Sequence, residues 1–247
     1  MKDRFKEIIK LCTDNKISVN DLIGHFDVSA STIRRDLVEL EDKGIIKRTH
    51  GYVMLNPEQA TEESNEFKTL YMAKEKELIA RYAASLVKDG DIVYIDAGTT
   101  TSRIIEFIAA KNIMIATHSL DCVEKSKDRN FDIFMVGGNY KKKTNTLVGN
   151  ETIAAINNLS VKIAFLAANG VHPLNGISCP DETESNIKKS IMNRSIKTYM
   201  CIDSSKFNQL KKSKICDLKG VNLITNKKVK DFDYSLFNEV VFVDELI

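Results

Sequence analysis

Seven short β-branched, apolar runs recur through the last two thirds of the chain. They are 91–96 (DIVYID), 113–117 (IMIAT), 131–136 (FDIFMV), 161–167 (VKIAFLA), 198–203 (TYMCID), 221–225 (VNLIT) and 239–243 (EVVFV). They show little in–out alternation, which is how strands covered on both faces read. Helical patterns lie between many of them, at 74–87, 100–110, 120–127 and 182–194. Strand–helix alternation of this kind predicts an α/β fold with an open, mostly parallel sheet and helices on both sides. The 247 residues leave room for a small second domain beside it.

Residues 1–55 read as that second unit. Phe5, Ile8, Ile9, Leu11 and Cys12 share one helical face. Val19, Leu22, Ile23 and Phe26 mark a second helix, with Ser18 placed to cap it. Asp27 and Val28 make a short turn, and Ser29 caps a third helix whose Ile33, Leu37 and Leu40 recur at helical spacing. Lys43-Gly44 ends that helix, because glycine tolerates the left-handed cap conformation. Two short strands follow around His50-Gly51. The expected division is a winged helix-turn-helix at 1–56, a linker at 57–73 that turns helical from about Glu66, and an α/β domain at 74–247.

The whole-chain charge of +2 says nothing about nucleic acid, and residues 1–56 hold ten basic against nine acidic side chains. A DNA site must therefore be a local patch. The five cysteines are odd in number and none form a C-x-x-C pair, which fits free thiols in a reducing cytoplasm. The first ten residues do not read as a signal peptide, and no apolar run approaches membrane-spanning length. A cytoplasmic protein without membrane contact is expected. No cofactor is implied. His172 and Cys179 lack a third ligand at convincing spacing, so no metal is expected either.

The apolar stripe of the third helix must face its own core. That leaves Ser31, Thr32, Arg34 and Arg35 towards solvent at the end that enters the major groove in such motifs. Arginine can bond a guanine edge bidentately, and hydroxyls suit phosphates or base edges. Lys47, Arg48 and His50 give the hairpin a basic surface for the neighbouring phosphates. By pattern alone, the same charges also fit a solvated face of a small helical module.

In the larger domain, Asp96-Ala97-Gly98-Thr99-Thr100-Thr101 joins a strand to a helix. A tight glycine turn, helix-start N–H donors and three hydroxyls make an anion cradle at a strand's carboxyl end. An ordinary capped βα turn would look the same. Thr117-His118-Ser119, Gly137-Gly138-Asn139 with Lys141, Lys142 and Lys143, Ala168-Asn169-Gly170 and Asp203-Ser204-Ser205-Lys206 follow other strands. In a parallel sheet these ends share one edge. His118 could touch a ligand there or simply be solvated.

The run VSASTIRRDLVELEDKGIIKRTHG resembles the DeoR family of bacterial regulators at Val28, Ser29, Thr32 to Leu37, Leu40, Glu41, Gly44, Arg48, His50 and Gly51. Tyr52 departs, since the family usually has a second glycine there. The later runs KEKELIARYAA, DAGTTT, THS, VGG, FLAANGV, ETESNIKKSIM and DSSKF are similar to that family's sensor domain. The resemblance implies a sugar-phosphate-isomerase-like sensor fold, operator DNA against Ser31, Thr32, Arg34 and Arg35, a phosphorylated sugar or related metabolite as effector, repression as the commoner mode, and a dimer or tetramer. It also implies that Gly98, Thr99 and Thr100 hold phosphate with Lys206 assisting. Thr117, Gly138, Asn169 and Glu184 would line the sugar, and Lys188 would pair with Glu184 or with ligand. Asn169 stands where the family often has Asp, which removes a negative charge from the pocket. Asp96, Asp181, Glu182 and Glu184 leave a second reading open: an isomerase-like enzyme with an appended DNA-binding domain.

Overall fold

A computed structural model describes residues 3–12, 16–42, 44–56 and 65–246. The chain forms two compact units, Met1–Ala73 and Lys74–Ile247.

The first unit runs α1 (Asp3–Leu11), β1 (Ile17–Ser18), α2 (Val19–His25), α3 (Ala30–Asp42), β2 (Ile46–Thr49), β3 (Tyr52–Leu55) and α4 (Asn65–Leu70). Phe5, Ile8 and Ile9 of α1, Leu22 of α2 and Ile33, Leu37 and Leu40 of α3 close over Ile46 and Val53 of the hairpin. Each fully buried side chain of this size contributes about 1.5–3 kcal/mol. The Ser18 hydroxyl accepts the Asp21 N–H at 3.0 Å and starts α2. The far end of α3 closes with two bonds, Ile45 N–H to the Leu40 carbonyl at 2.9 Å and Gly44 N–H to that of Glu41 at 2.8 Å. Gly44 takes φ +69° there, so this is a Schellman stop, while Lys43 lies outside the described residues. Within the stretch read as linker, 57–64 also lie outside the described residues. Leu70, the last residue of α4, and Tyr71 just beyond it pack on the first unit's core.

The second unit holds α5 (Ala73–Ser85), β4 (Ile92–Ile95), a 3₁₀ turn (Thr101–Arg103), α6 (Ile104–Phe107), β5 (Met114–Thr117), α7 (Leu120–Lys125), β6 (Asp132–Met135), β7 (Asn139–Lys141) and β8 (Thr146–Val148). It continues with α8 (Asn150–Asn157), β9 (Val161–Leu166), β10 (Gly170–His172), β11 (Gly176–Cys179), α9 (Glu182–Arg194), β12 (Ser195–Cys201), β13 (Ser213–Cys216), β14 (Asn222–Thr225) and β15 (Glu239–Phe242). All seven expected strands join one sheet, in the order β15-β14-β12-β9-β4-β5-β6, and every pairing in it is parallel. Ile79, Ala83, Ile104, Ile105 and Cys122 from α5, α6 and α7 cover one face. Ile156, Ile187 and Ile191 from α8 and α9 cover the other. From β4 the chain builds outward to β5 and β6, then returns to place β9 on the other side of β4. Open α/β sheets bind ligands outside the carboxyl ends of strands at such a reversal.

The helix expected over 100–110 is shorter. After the 3₁₀ turn and α6 the chain turns extended at Ile108, which is itself buried. The hairpin β7–β8, the helix α8 and a small antiparallel sheet, β10-β11-β13, were not expected from the sequence.

Candidate DNA interface and effector site

In the first unit, Ile33, Leu37 and Leu40 turn inward and Arg34 and Arg35 stand exposed between them. Asp36 points inward too. It is buried against the Arg4 guanidinium of α1, which ties α3 to the rest of the unit. At the start of α3 the Ser29 hydroxyl accepts the Thr32 N–H at 3.3 Å and lies 2.8 Å from both the Ser31 and Thr32 hydroxyls. Ser29 and Ser31 are exposed and Thr32 half-buried.

The hairpin pairs Thr49 with Tyr52, so its loop is His50-Gly51 alone. Both loop residues have positive φ, +47° and +83°, as a type I′ turn needs. Tyr52 is therefore already in the strand, where no glycine is required. It pairs with Ser18, and the Lys16 ammonium sits 5.0 Å from its ring centroid. The departure from the family pattern leaves the turn unchanged. Lys47, Arg48 and His50 are exposed. Arg48 nonetheless has a fixed partner: its Nε donates to Glu41 at 2.6 Å and its backbone N–H donates to the same carboxylate at 3.1 Å. A groove of about 610 Å³ runs between α3 and the hairpin, past Arg34, Val38, Thr49, His50 and Tyr52.

In the second unit the reversal between β4 and β9 is spanned by Asp96. Its Oδ2 accepts the Ala167 N–H at 2.9 Å and the Lys188 ammonium, and its own N–H donates to Phe165 at 3.0 Å. Asp96 and Lys188 are both buried, and their chain positions lie 92 residues apart. Burial pushes the Asp96 carboxyl up, but the charge of Lys188 and the hydrogen bonds from Lys188 and Ala167 hold it below its ordinary value. Burial likewise pulls Lys188 down, while Asp96 and Glu184 hold it above its ordinary value. The pair is thus ionised. His118 lies beside it, Nε2 3.9 Å from Asp96 Oδ1 and Nδ1 2.7 Å from the Tyr94 hydroxyl. Burial pushes His118 down to about 4, so its ring is neutral at pH 7.

The turn after Asp96 folds on itself. The Thr101 hydroxyl donates to the carbonyls of Asp96 at 2.8 Å and Gly98 at 3.0 Å. Gly98 passes so close to Ala167 that a Cβ would collide with it. Thr99 is half-buried and Thr100 buried. Thr117 is buried, and its hydroxyl donates to Ile95 at 2.7 Å and accepts the Ser119 N–H at 3.1 Å. Both of these bonds hold the strand end from inside. Gly138 (φ +142°) lies against Thr152 and Val148 where a side chain would not fit. Half-buried Asn169 donates its N–H to Ser178 at 3.0 Å. Lys206 is half-buried on the 3₁₀ turn Ser204–Lys206, which is held by Asp203 accepting the Ser205 N–H at 3.0 Å.

Lys188 therefore pairs with Asp96, and the pairing with Glu184 is replaced by another. Glu184 accepts from Lys141 of the β7–β8 hairpin at 2.9 Å, and Lys141 reaches Asp181, the N-cap of α9, at the same distance. Burial lowers Lys141, but those two carboxylates raise it above its ordinary value. The sequence marks Lys141 and His118 only as strand-end residues, with His118 open between ligand contact and solvation and neither assigned a role in the pocket. Their only signal was their position just past β6 and β5.

Comparison with known proteins agrees with both halves. Residues 4–59 match the model of the DeoR-like helix-turn-helix domain, and residues 72–227 match that of the DeoR C terminal sensor domain. The chain is similar to the HTH-type transcriptional regulator IolR of Bacillus subtilis, 35% identical over 78% of this chain and 77% of that one. It is also similar to the lactose phosphotransferase system repressor of Staphylococcus epidermidis, 31% identical over 90% of each. Among solved structures, a D-ribose-5-phosphate isomerase in complex with phospho-erythronic acid aligns with 55% of this chain and 54% of its own, at 15% identity and a TM-score of 0.40. Among the described residues, no helix is long and apolar enough to cross a membrane. The chain belongs to the DeoR family of transcriptional regulators.

Proposed function

We propose that this protein represses a carbohydrate-metabolism operon and is released from its operator by a phosphorylated sugar or related metabolite. The observation that carries the effector half is the convergence at the β4/β9 reversal. The glycine–threonine turn, Asn169 and Lys206 follow the carboxyl ends of β4, β9 and β12 in one parallel sheet, and Glu184 lies on α9 one turn before Lys188, which forms an ionised pair with Asp96. Backbone N–H groups and threonine hydroxyls suit phosphate, and Asn169 and Glu184 suit sugar hydroxyls. The similarity to a lactose phosphotransferase system repressor supports a sugar-related ligand. The DNA half rests on Ser29, Ser31, Thr32, Arg34 and Arg35 for the major groove, with Lys47 and His50 towards the adjoining phosphates.

The protein works as a cytoplasmic homo-oligomer, a dimer or tetramer, because paired half-sites about 34–36 Å apart need paired heads. Effector binding changes operator affinity through a coupling of about 1–3 kcal/mol, or roughly 5–150-fold. The test is fluorescence anisotropy of the full chain on duplex DNA from upstream of its own gene, at fixed salt, with phosphorylated sugars added one at a time. Release by one compound supports the reading. Tight binding unmoved by every compound removes the effector half.

A further inference from the structure

We propose that Arg48 is a positioning residue, not a DNA contact: through Glu41 it fixes the wing's approach to the recognition helix. This rests on the DNA-binding reading of the first unit. The hairpin β2–β3 meets α3 at the helix's last turns, while the exposed arginines sit on its first turns. Something must set the angle between those two surfaces if both are to meet one duplex. The Glu41 carboxylate does so by receiving three donors from one residue: the Arg48 backbone N–H, its Nε and its Nη2. The two side-chain donors, Nε and Nη2, converge on one oxygen, Oε2, and the backbone N–H takes the other, Oε1, so both oxygens of the carboxylate are tied to Arg48. The backbone bond matters most for position, because it holds the strand itself and not only a side-chain tip. The pairing lowers the Glu41 carboxyl below its ordinary value, so the carboxylate is charged under working conditions.

The groove between α3 and the wing is bounded by this strut. Arg34 and Val38 of α3 lie on one side, and Thr49, His50 and Tyr52 of the hairpin on the other. Its width decides whether helix and wing can engage the duplex together. With its guanidinium spent on Glu41, Arg48 has no reason to release a counterion from DNA. Lys47 and His50 remain as the wing's exposed basic residues beside it.

The experiment is a double-mutant cycle on the full chain: wild type, Arg48→Met, Glu41→Gln, both together, and the exchange Glu41→Arg with Arg48→Glu. Affinity for a duplex from upstream of the gene is measured across salt concentrations, with thermal melting as a folding control. The strut predicts that each single variant weakens binding about fivefold, that the double is no worse than either single, and that the salt slope keeps its wild-type value. The exchange restores most of the loss. A phosphate contact predicts otherwise: Arg48→Met flattens the slope of log K against log salt by about 0.9, while Glu41→Gln leaves binding equal or tighter. That result, or additive losses, overturns the proposal. If the wild type binds no duplex, the DNA-binding reading fails by itself, and the strut is judged from melting of the same proteins. Non-additive shifts in the first unit's transition uphold it, and additive shifts remove it.

Discussion

The two units handle charge in opposite ways. In the first, Arg34, Arg35, Lys47 and His50 are held in water by a scaffold of short helices, and the ion pairs Arg4–Asp36 and Arg48–Glu41 keep that scaffold in shape. In the second, the charges that mark the site are sunk below the carboxyl edge. Asp96 and Lys188 are paired there beside a neutral His118. A surface that meets a polyanion needs cations kept solvated and ready to displace counterions. A pocket that recognises one metabolite needs polar groups fixed in place before it arrives, and burial with full pairing does that. The cost is that each buried group depends on its partner.

The largest expected effect therefore lies in the second unit. Asp96→Ala strands the Lys188 ammonium in the interior and destabilises the domain by about 3–5 kcal/mol, read by denaturant unfolding. Adding Lys188→Met recovers part of that loss. A loss below about 1 kcal/mol would mean that the pair is not buried as described and would weaken the contrast between the units.

Next comes acid. His118 is held neutral, at about 4, against 6.5 for an ordinary histidine. Between those values the unfolded chain binds a proton that the folded chain refuses, so stability is full above pH 6.5 and falls as pH drops towards 4. The expected loss is about 3 kcal/mol across that window. Asp96, held low, adds to the loss in the same direction at still lower pH. His118→Gln should flatten the profile between pH 6.5 and 4. If the slope survives the substitution, another group carries it.

The smallest effect on folding belongs to the DNA face. Arg35→Ala should leave the melting temperature unchanged and weaken operator binding by about 1–3 kcal/mol. Intact affinity would remove Arg35 from the interface; a lowered melting temperature would show that the first unit also leans on its arginines.

The same contrast explains what the sequence made legible. The helix-turn-helix is local: its caps, its Gly44 stop and its outward Arg34-Arg35 follow from spacings of a few residues. The inner sheet strands were legible because both faces are covered, so each reads as an apolar run, while the edge strand β6 reads as one although Asp132 and Phe134 are exposed. The proposed effector site was half legible. The Asp96–Thr101 turn announced itself, but its closest partners, Ala167 and Lys188, come from distant parts of the chain and meet only through the order of the strands. The β7–β8 hairpin escaped notice because each strand has three residues, too few to show alternation, and β7 is polar and mostly exposed while β8 is buried to half-buried. That hairpin brings Lys141, itself visible as a strand-end lysine, to Glu184 and Asp181, a pairing that no spacing in the sequence announces.

The central claim is that a ligand at the carboxyl edge of the second unit alters the hold of the first unit on DNA. Thr99→Arg tests it most directly, because it fills the phosphate turn without touching the DNA face. Operator affinity of wild type and variant would be measured by anisotropy, with and without the phosphorylated sugar that releases the wild type. The account predicts equal affinity without effector, release of the wild type, and no release of the variant. Release of both alike would contradict it and put the effector site elsewhere.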